Sequence, residues 1–159
     1  MTGGDIGEPG IRDLLSRVGM LREGGEVRRS DPLRDPAAFH ELARRLFEAV
    51  DRPFDVVVVR DLFGDRVLGY ELGLMAGRPV AVSHDREGVI GIDPVSIPSG
   101  ARAALIAADT HFTAASIQAA ALGVRQAGIE VAGAAILLEQ LAVDYGFPVW
   151  RPARADRPA

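Results

Sequence analysis

The sequence contains no cysteine. Disulfides, thiolate nucleophiles and cysteine-ligated zinc or iron–sulfur sites are therefore excluded, and the composition suits a reducing compartment. Lysine is also missing, so every basic side chain apart from three histidines is an arginine. With the abundance of Ala and Gly, this reads as genome composition more than as a functional device. His40, His84 and His111 are dispersed and show no metal-ligand spacing. Apolar runs are short: even Val131 to Leu138 falls far below the length of a membrane helix. No basic-then-apolar leader opens the chain. A formal net charge of −4 gives no reason to expect nucleic acid or an anionic membrane as partner. Serine-hydrolase elbows and paired-carboxylate glycosidase patterns are absent. These absences leave a soluble, cytoplasmic protein as the expectation.

What is present is the balance of one globular domain. The 159 residues are 48% hydrophobic and 25% charged, enough to bury a core without staples. Residues 1–10 are Gly-rich and expected to be flexible, as are residues 151–159. Ile11, Leu14, Leu15 and Val18 recur at helical spacing before Gly19. Residues 22–34 are poor in apolar side chains and read as loop or an irregular strand pair. Asp35 caps a helix with Pro36 in its first position. Its apolar stripe runs through Phe39, Leu42, Ala43, Leu46, Phe47 and Val50, leaving Arg44, Arg45 and Glu48 to face water.

From there strand and helix alternate. Phe54 to Val59 is a β-branched run suited to a strand buried on both faces. A polar turn over Arg60 to Asp65 leads into a helix from about Arg66 to Met75, closed by Gly77. Pro79 to Val82 is a second strand, His84 to Gly88 a turn, and Val89 to Ile92 its hairpin partner. Ala101 to Ala107 is a third core strand and Asp109 to Thr113 a loop. An Ala-rich helix follows over Ala114 to Ala127. Glu130 to Leu138 and Phe147 to Trp150 complete the strands. Repeated βαβ units predict an α/β fold, a mostly parallel central sheet flanked by helices.

In such sheets ligands bind at the carboxyl ends of the strands, beside helix N-termini. Two segments occupy that position: Arg60 to Asp65, and Asp109-Thr110-His111-Phe112-Thr113-Ala114-Ala115-Ser116. In the second, small residues open a helix whose dipole and amides favour an anion, with Thr113 and Ser116 adding hydroxyl donors. Asp109 suits sugar hydroxyls or a hydrated Mg²⁺. Asp109 and Thr113 equally suit plain capping. His40 and Glu71 read as structural and solvent-facing residues.

Leu105 to Ser116 resembles the phosphoribosyl-pyrophosphate signature of type I phosphoribosyltransferases: an apolar strand, an acidic pair, variable positions and a small-residue phosphate loop. Phe54 to Leu74 looks like the strand, pyrophosphate loop and helix of the orotate branch. Ile11 to Leu21 with Pro36 to Val50 looks like that branch's N-terminal helices, and Gln126 to Leu138 like its last helix end and strand. The resemblance spans roughly residues 11–140. It implies one domain over residues 11–150, with a base-reading hood near residues 11–34. Asp109 matches the ribose-binding acid, which would also hold Mg²⁺ through water, and Thr110 to Ser116 match the phosphate loop. Arg60, Asp61, Gly64, Asp65 and Arg66 fall in the pyrophosphate loop, and His84 and Arg86 in a shortened catalytic loop.

The pattern also departs from the family. Ala108 replaces the first acid, Ala114 and Ala115 replace two glycines, and Gly64 and Asp65 stand where Lys and Gly are usual. Arg60 and Arg66 suit simple pairing with the nearby aspartates at the surface. The resemblance implies transfer of ribose 5-phosphate from phosphoribosyl pyrophosphate to a nitrogenous base by a homodimer, which exposed apolar stripes on the N-terminal helices would allow. Transfer is the leading expectation, and the departures motivate rivals: a non-catalytic binder of a nucleoside monophosphate or of phosphoribosyl pyrophosphate, acting as sensor or partner subunit, or a domain that has lost its ligand.

Overall fold

The computed structural model describes residues 10–93, 97–111, 114–139 and 143–152, apart from the side chain of His111. Helix α1 (Ile11–Arg17) leads through a single 3₁₀ turn (Glu23–Gly25) to α2 (Pro36–Ala49). Then come β1 (Val56–Arg60), α3 (Phe63–Ala76), β2 (Val80–Arg86), β3 (Val89–Ile92), β4 (Ala103–His111), α4 (Ala114–Gln126), β5 (Glu130–Glu139) and β6 (Val149–Trp150). The six strands form one sheet in the order β3-β2-β1-β4-β5-β6, parallel throughout except for the β2–β3 hairpin.

Residues alternate across this sheet as the pleat demands. Val57 and Val59 of β1 face a core built with Leu14, Phe39, Leu42, Leu46, Leu68 and Leu72 from α1, α2 and α3. Val56 and Val58 face the other side, where Ile117 and Val124 of α4 cover the sheet with Ile106 and Ile136. Burial on both faces is why β1 reads as an unbroken apolar run.

Local signals account for most boundaries. The Asp35 carboxylate accepts the Ala38 N–H at 3.0 Å, with Pro36 next to the cap. Gly77 ends α3 in the left-handed conformation, φ +64°. Glu87 and Gly88 both have positive φ and join the paired residues Arg86 and Val89, the two-residue turn that matches strand twist.

Four expectations are corrected. Helix α3 begins at Phe63, not Arg66, because Gly64 and Asp65 face inward and form its first turn. Strand β4 continues through Asp109 and Thr110 to His111, since β5 runs beside it and pairs Thr110 with Leu138 and His111 with Glu139. Strand β2 likewise extends to Arg86, which reduces the turn to two residues. Arg45 does not face water: three residues beyond Leu42 it falls on the packed face, 5% exposed, with its guanidinium on Glu41. Residues 1–9 and 153–159, expected to be flexible, lie outside the described residues.

Candidate functional site

The carboxyl ends of β1, β2 and β4 meet the N-termini of α3 and α4, and most of the polar residues singled out above gather there. Phe112 and Thr113 lie outside the described residues. Three of the others form a buried network. Asp65, in the first turn of α3, is fully buried, and its carboxylate accepts the Asp109 N–H at 2.9 Å. Arg60, the last residue of β1, donates to both Asp65 oxygens, at 2.6 and 3.2 Å. The same guanidinium donates to the Thr110 carbonyl and, at 3.0 Å, to the Ser116 hydroxyl near the start of α4. Arg60 and Asp65 do pair, but in the interior rather than at the surface. Burial outweighs Arg60 and pushes the Asp65 carboxyl up to about 7.

Asp109 is 1% exposed, and both its oxygens are engaged. Oδ2 accepts the Ser30 N–H at 3.0 Å and the Ser30 hydroxyl at 2.8 Å. Oδ1 accepts the Thr110 N–H at 2.6 Å and lies 3.6 Å from Arg60. As arranged, Oδ2 already accepts two hydrogen bonds from Ser30 and Oδ1 one from Thr110. Among the described residues no group of three or more acidic or histidine side chains is placed to hold a metal. The Thr110 hydroxyl, on the opposite face of β4, is buried without a hydrogen-bond partner.

Gly64 is where it is for reasons of space. A Cβ there would stand closer than 3.0 Å to both Asp109 Oδ2 and Ser30 Oγ. Ser30 itself went unnoticed in the sequence, because a single serine in a polar stretch carries no periodic or motif signal. Its role appears only when residue 30 is brought against residue 109.

On the α4 side of Arg60 opens a cleft of about 620 Å³, lined by Arg60, Asp61, Ser83, His84, Asp85, Arg86 and Ser116 among others. Ala119 and Ala120 keep its α4 wall low. Asp61 is held below the usual carboxylate range, first by hydrogen bonds from Arg66 (2.6 and 2.9 Å) and then by charge, with His84 at 3.5 Å contributing less. Arg66 is thus spent on Asp61, as its spacing suggested. The cleft presents cationic groups and hydroxyls beside two carboxylates, Asp61, paired with Arg66, and Asp85, which accepts the Gly88 N–H.

His40 pairs with Glu71 at 2.8 Å, away from the cleft; Glu71, expected to face solvent, is mostly covered. Apolar residues of α1 and α2 are buried within the chain, so those helices offer no exposed stripe for a partner. Exposed large apolar side chains include Phe63, Tyr70 and Leu74 on α3, with Leu33, Val89 and Leu122 elsewhere. No described helix is long and apolar enough to cross a membrane.

No family model matches the sequence, and no curated protein is a significant match. Solved structures do match. Adenine phosphoribosyltransferase from Rhodothermus marinus superposes with a TM-score of 0.66 at 19% identity, over 87% of this chain and 96% of that one. Orotate phosphoribosyltransferase from Aeropyrum pernix gives 0.66 at 15% identity, over 87% and 89%. A hypothetical protein from Neisseria gonorrhoeae with bound ppGpp gives 0.54 at 15% identity, over 73% and 78%. Adenine and orotate enzymes are both among the similar structures, each superposing over most of this chain: the chain has the fold of the type I phosphoribosyltransferases.

Proposed function

We propose that this chain is a binding protein for a nucleoside phosphate, built on the phosphoribosyltransferase fold and without transferase turnover. The observation that carries the reading is the state of Asp109, buried and bonded to Ser30 and Thr110. Transfer requires a sugar held so firmly that a developing positive charge at its reacting carbon is stabilised. Here the matching acid is committed to the protein, and the residue before it is Ala108, buried and without a polar group. The cleft nevertheless retains what anion binding needs. Arg60, His84 and Arg86 supply cationic or hydrogen-bonding nitrogens, and Ser83 and Ser116 supply hydroxyls. In this reading any Mg²⁺ arrives on the ligand's phosphoryl oxygens. The bound ppGpp in the gonococcal protein is an instance of a phosphorylated nucleotide on a comparable fold.

Transfer is the second reading, favoured by the convergence of Arg60, His84 and Arg86 on one cleft, where the charge of a departing pyrophosphate would be met. One pair of measurements separates the two. Calorimetry with nucleoside mono- and diphosphates is run beside an assay of pyrophosphate release from phosphoribosyl pyrophosphate, Mg²⁺ and a panel of bases. Binding without release supports the binding protein; base-dependent release replaces it with the transferase; no binding of any phosphorylated sugar removes both. A homodimer belongs to either reading, through the exposed Phe63, Tyr70 and Leu74 of α3. Sedimentation of the wild-type chain and of Tyr70→Glu tests it, the variant being expected to shift toward monomer.

A further inference from the structure

A nucleobase asks two things of a site, an apolar surface against its ring and polar groups matched to its edge. The cleft offers the first as aliphatic side chains, Leu62, Ile90, Ala119 and Ala120. For the second it holds two carboxylates, and they differ in what they have left to give. Asp61 Oδ1 receives Arg66 at 2.6 and 2.9 Å, and its Oδ2 stands 3.5 Å from His84. Asp85 Oδ1 accepts the Gly88 N–H at 3.0 Å, which fixes the carboxylate within its turn, while no described residue bonds to Oδ2.

The hairpin decides where Asp85 faces. It pairs with Ile90, as Ser83 pairs with Ile92, and alternation along the strands puts these four side chains on one face. That face is turned to α4, where a Cβ on Gly123 would stand 3.0 Å from Ile90 and 3.7 Å from Ile92. Asp85 therefore lines the cleft with an aliphatic side chain beside it, a carboxylate edge next to an apolar surface. Its place along β2 suits a ligand held at its other end. Ser83 is in register with Arg60, and Asp85 lies two residues further on, roughly 7 Å along the strand. A phosphoryl group on Arg60 and Ser116 leaves the rest of a nucleotide to run toward Asp85.

We infer that Asp85 reads the base of the bound nucleotide and selects guanine. A carboxylate only accepts hydrogen bonds, and the pairing edge of guanine carries two adjacent donors, N1–H and the 2-amino group, matched to its two oxygens. Adenine and cytosine offer one amino group beside a ring-nitrogen acceptor, and uracil one N–H between two carbonyls. Each of these sets an acceptor against the carboxylate. The inference rests on the binding reading above and goes further, since it puts base recognition on the β2–β3 hairpin and not on residues 11–34. Asp85 is exposed, so its discrimination is set at the low end of what a bidentate pair gives, about fivefold over a purine lacking only the 2-amino group.

The test is calorimetry of the wild-type chain with the 5′-monophosphates of guanosine, inosine, adenosine, cytidine and uridine, at one pH and one salt concentration. Guanosine monophosphate is expected to bind tightest, about fivefold better than inosine monophosphate. A ratio below about threefold, or tighter binding of any other base, overturns the inference and leaves the binding reading standing. Binding of none of the five instead brings down the binding reading, and this inference with it. Asp85→Asn keeps an oxygen for the Gly88 N–H, so the turn is retained, but sets an N–H₂ where the second acceptor stood. Loss of the negative charge strengthens the binding of every nucleotide alike, whereas the guanosine-to-inosine ratio is expected to fall to about one. A variant that keeps the wild-type ratio shows that Asp85 is not the reader.

Discussion

Gly64 and Asp109 approach so closely that a methyl group on residue 64 would lie 3.2 Å from the Asp109 carboxyl carbon and nearer still to Oδ2. The carboxylate is fixed by Ser30 and the Thr110 amide, so it has little room to give. Gly64→Ala is therefore expected to destabilise the chain by about 1–3 kcal/mol through overpacking, despite the better helix propensity of Ala. Urea unfolding measures it. A midpoint unchanged or raised would mean that the α3 N-terminus is looser than described.

The buried Asp65 is expected to contribute a pH dependence of stability opposite to that of the other shifted carboxylates. An unfolded aspartate, with a pKa near 3.8, has lost its proton by about pH 5, whereas native Asp65 keeps it up to about 7. Between these limits the native chain binds more protons than the unfolded one, so stability falls as pH rises, by at most about 1.4 kcal/mol per unit, and levels off above about pH 8. Carboxylates held low (Asp35, Asp55, Asp61 and Glu41) act below this window: their stabilisation is present above their unfolded pKa and is lost on acidification. Wild-type urea midpoints should thus decline between about pH 5 and pH 7, and those of Asp65→Asn should stay flat. A wild-type midpoint that rises over this interval would show Asp65 ionised throughout.

The parts of the fold legible in the sequence are those fixed by local chemistry. The valines of β1, the Asp35-Pro36 start of α2 and the Gly77 stop of α3 each carry their reason within a few residues. Strand β4 past Ala108 was not legible, because Asp109 and Thr110 look like loop residues until β5 is placed beside them. The site divides in the same way. Placing Arg60, Asp65, Asp109 and Ser116 at the strand ends followed from the alternation of elements. That Asp109 is answered by Ser30, 79 residues earlier, did not, since only the tertiary path of residues 20–31 brings them together. Arg45 was misplaced for a related reason: a charge is expected outside until its partner, Glu41, is seen to accompany it.

Arg45 leads to a third expectation. Its side chain is 6% exposed and its Nε donates to Glu41 Oε1 at 2.8 Å. Glu41 is held down to about 2, first by hydrogen bonds from Arg44 and then by Arg45. Glu41→Ala removes this counter-charge from the buried guanidinium and should cost more than about 1 kcal/mol. Glu48, the outer partner of Arg44, is 60% exposed, and Glu48→Ala should cost less than about 1 kcal/mol. Thermal melts of the two variants are compared directly; equal losses would mean that the Glu41–Arg45 pair is not what holds Arg45 inside.

Arg86 separates binding from folding. It lies at the end of β2 beside the turn, exposed, and lines the cleft with Arg60, His84 and Ser116. Removing Arg60 would leave Asp65 buried without its cation, so a loss of binding there would be confounded with a loss of stability. Arg86→Gln carries no such cost. It should leave the melting temperature within about 2 °C of wild type, as expected for a surface substitution. If phosphoryl groups are what the cleft recognises, the same variant should weaken nucleoside monophosphate binding about three- to tenfold, with a smaller dependence on salt. Arg12→Gln, on the exposed face of α1, removes the same charge from the chain at a distance from the cleft. Calorimetry at low and high ionic strength distinguishes a local contact from a general field: equal weakening in both variants would mean that net charge, not Arg86, draws the ligand in.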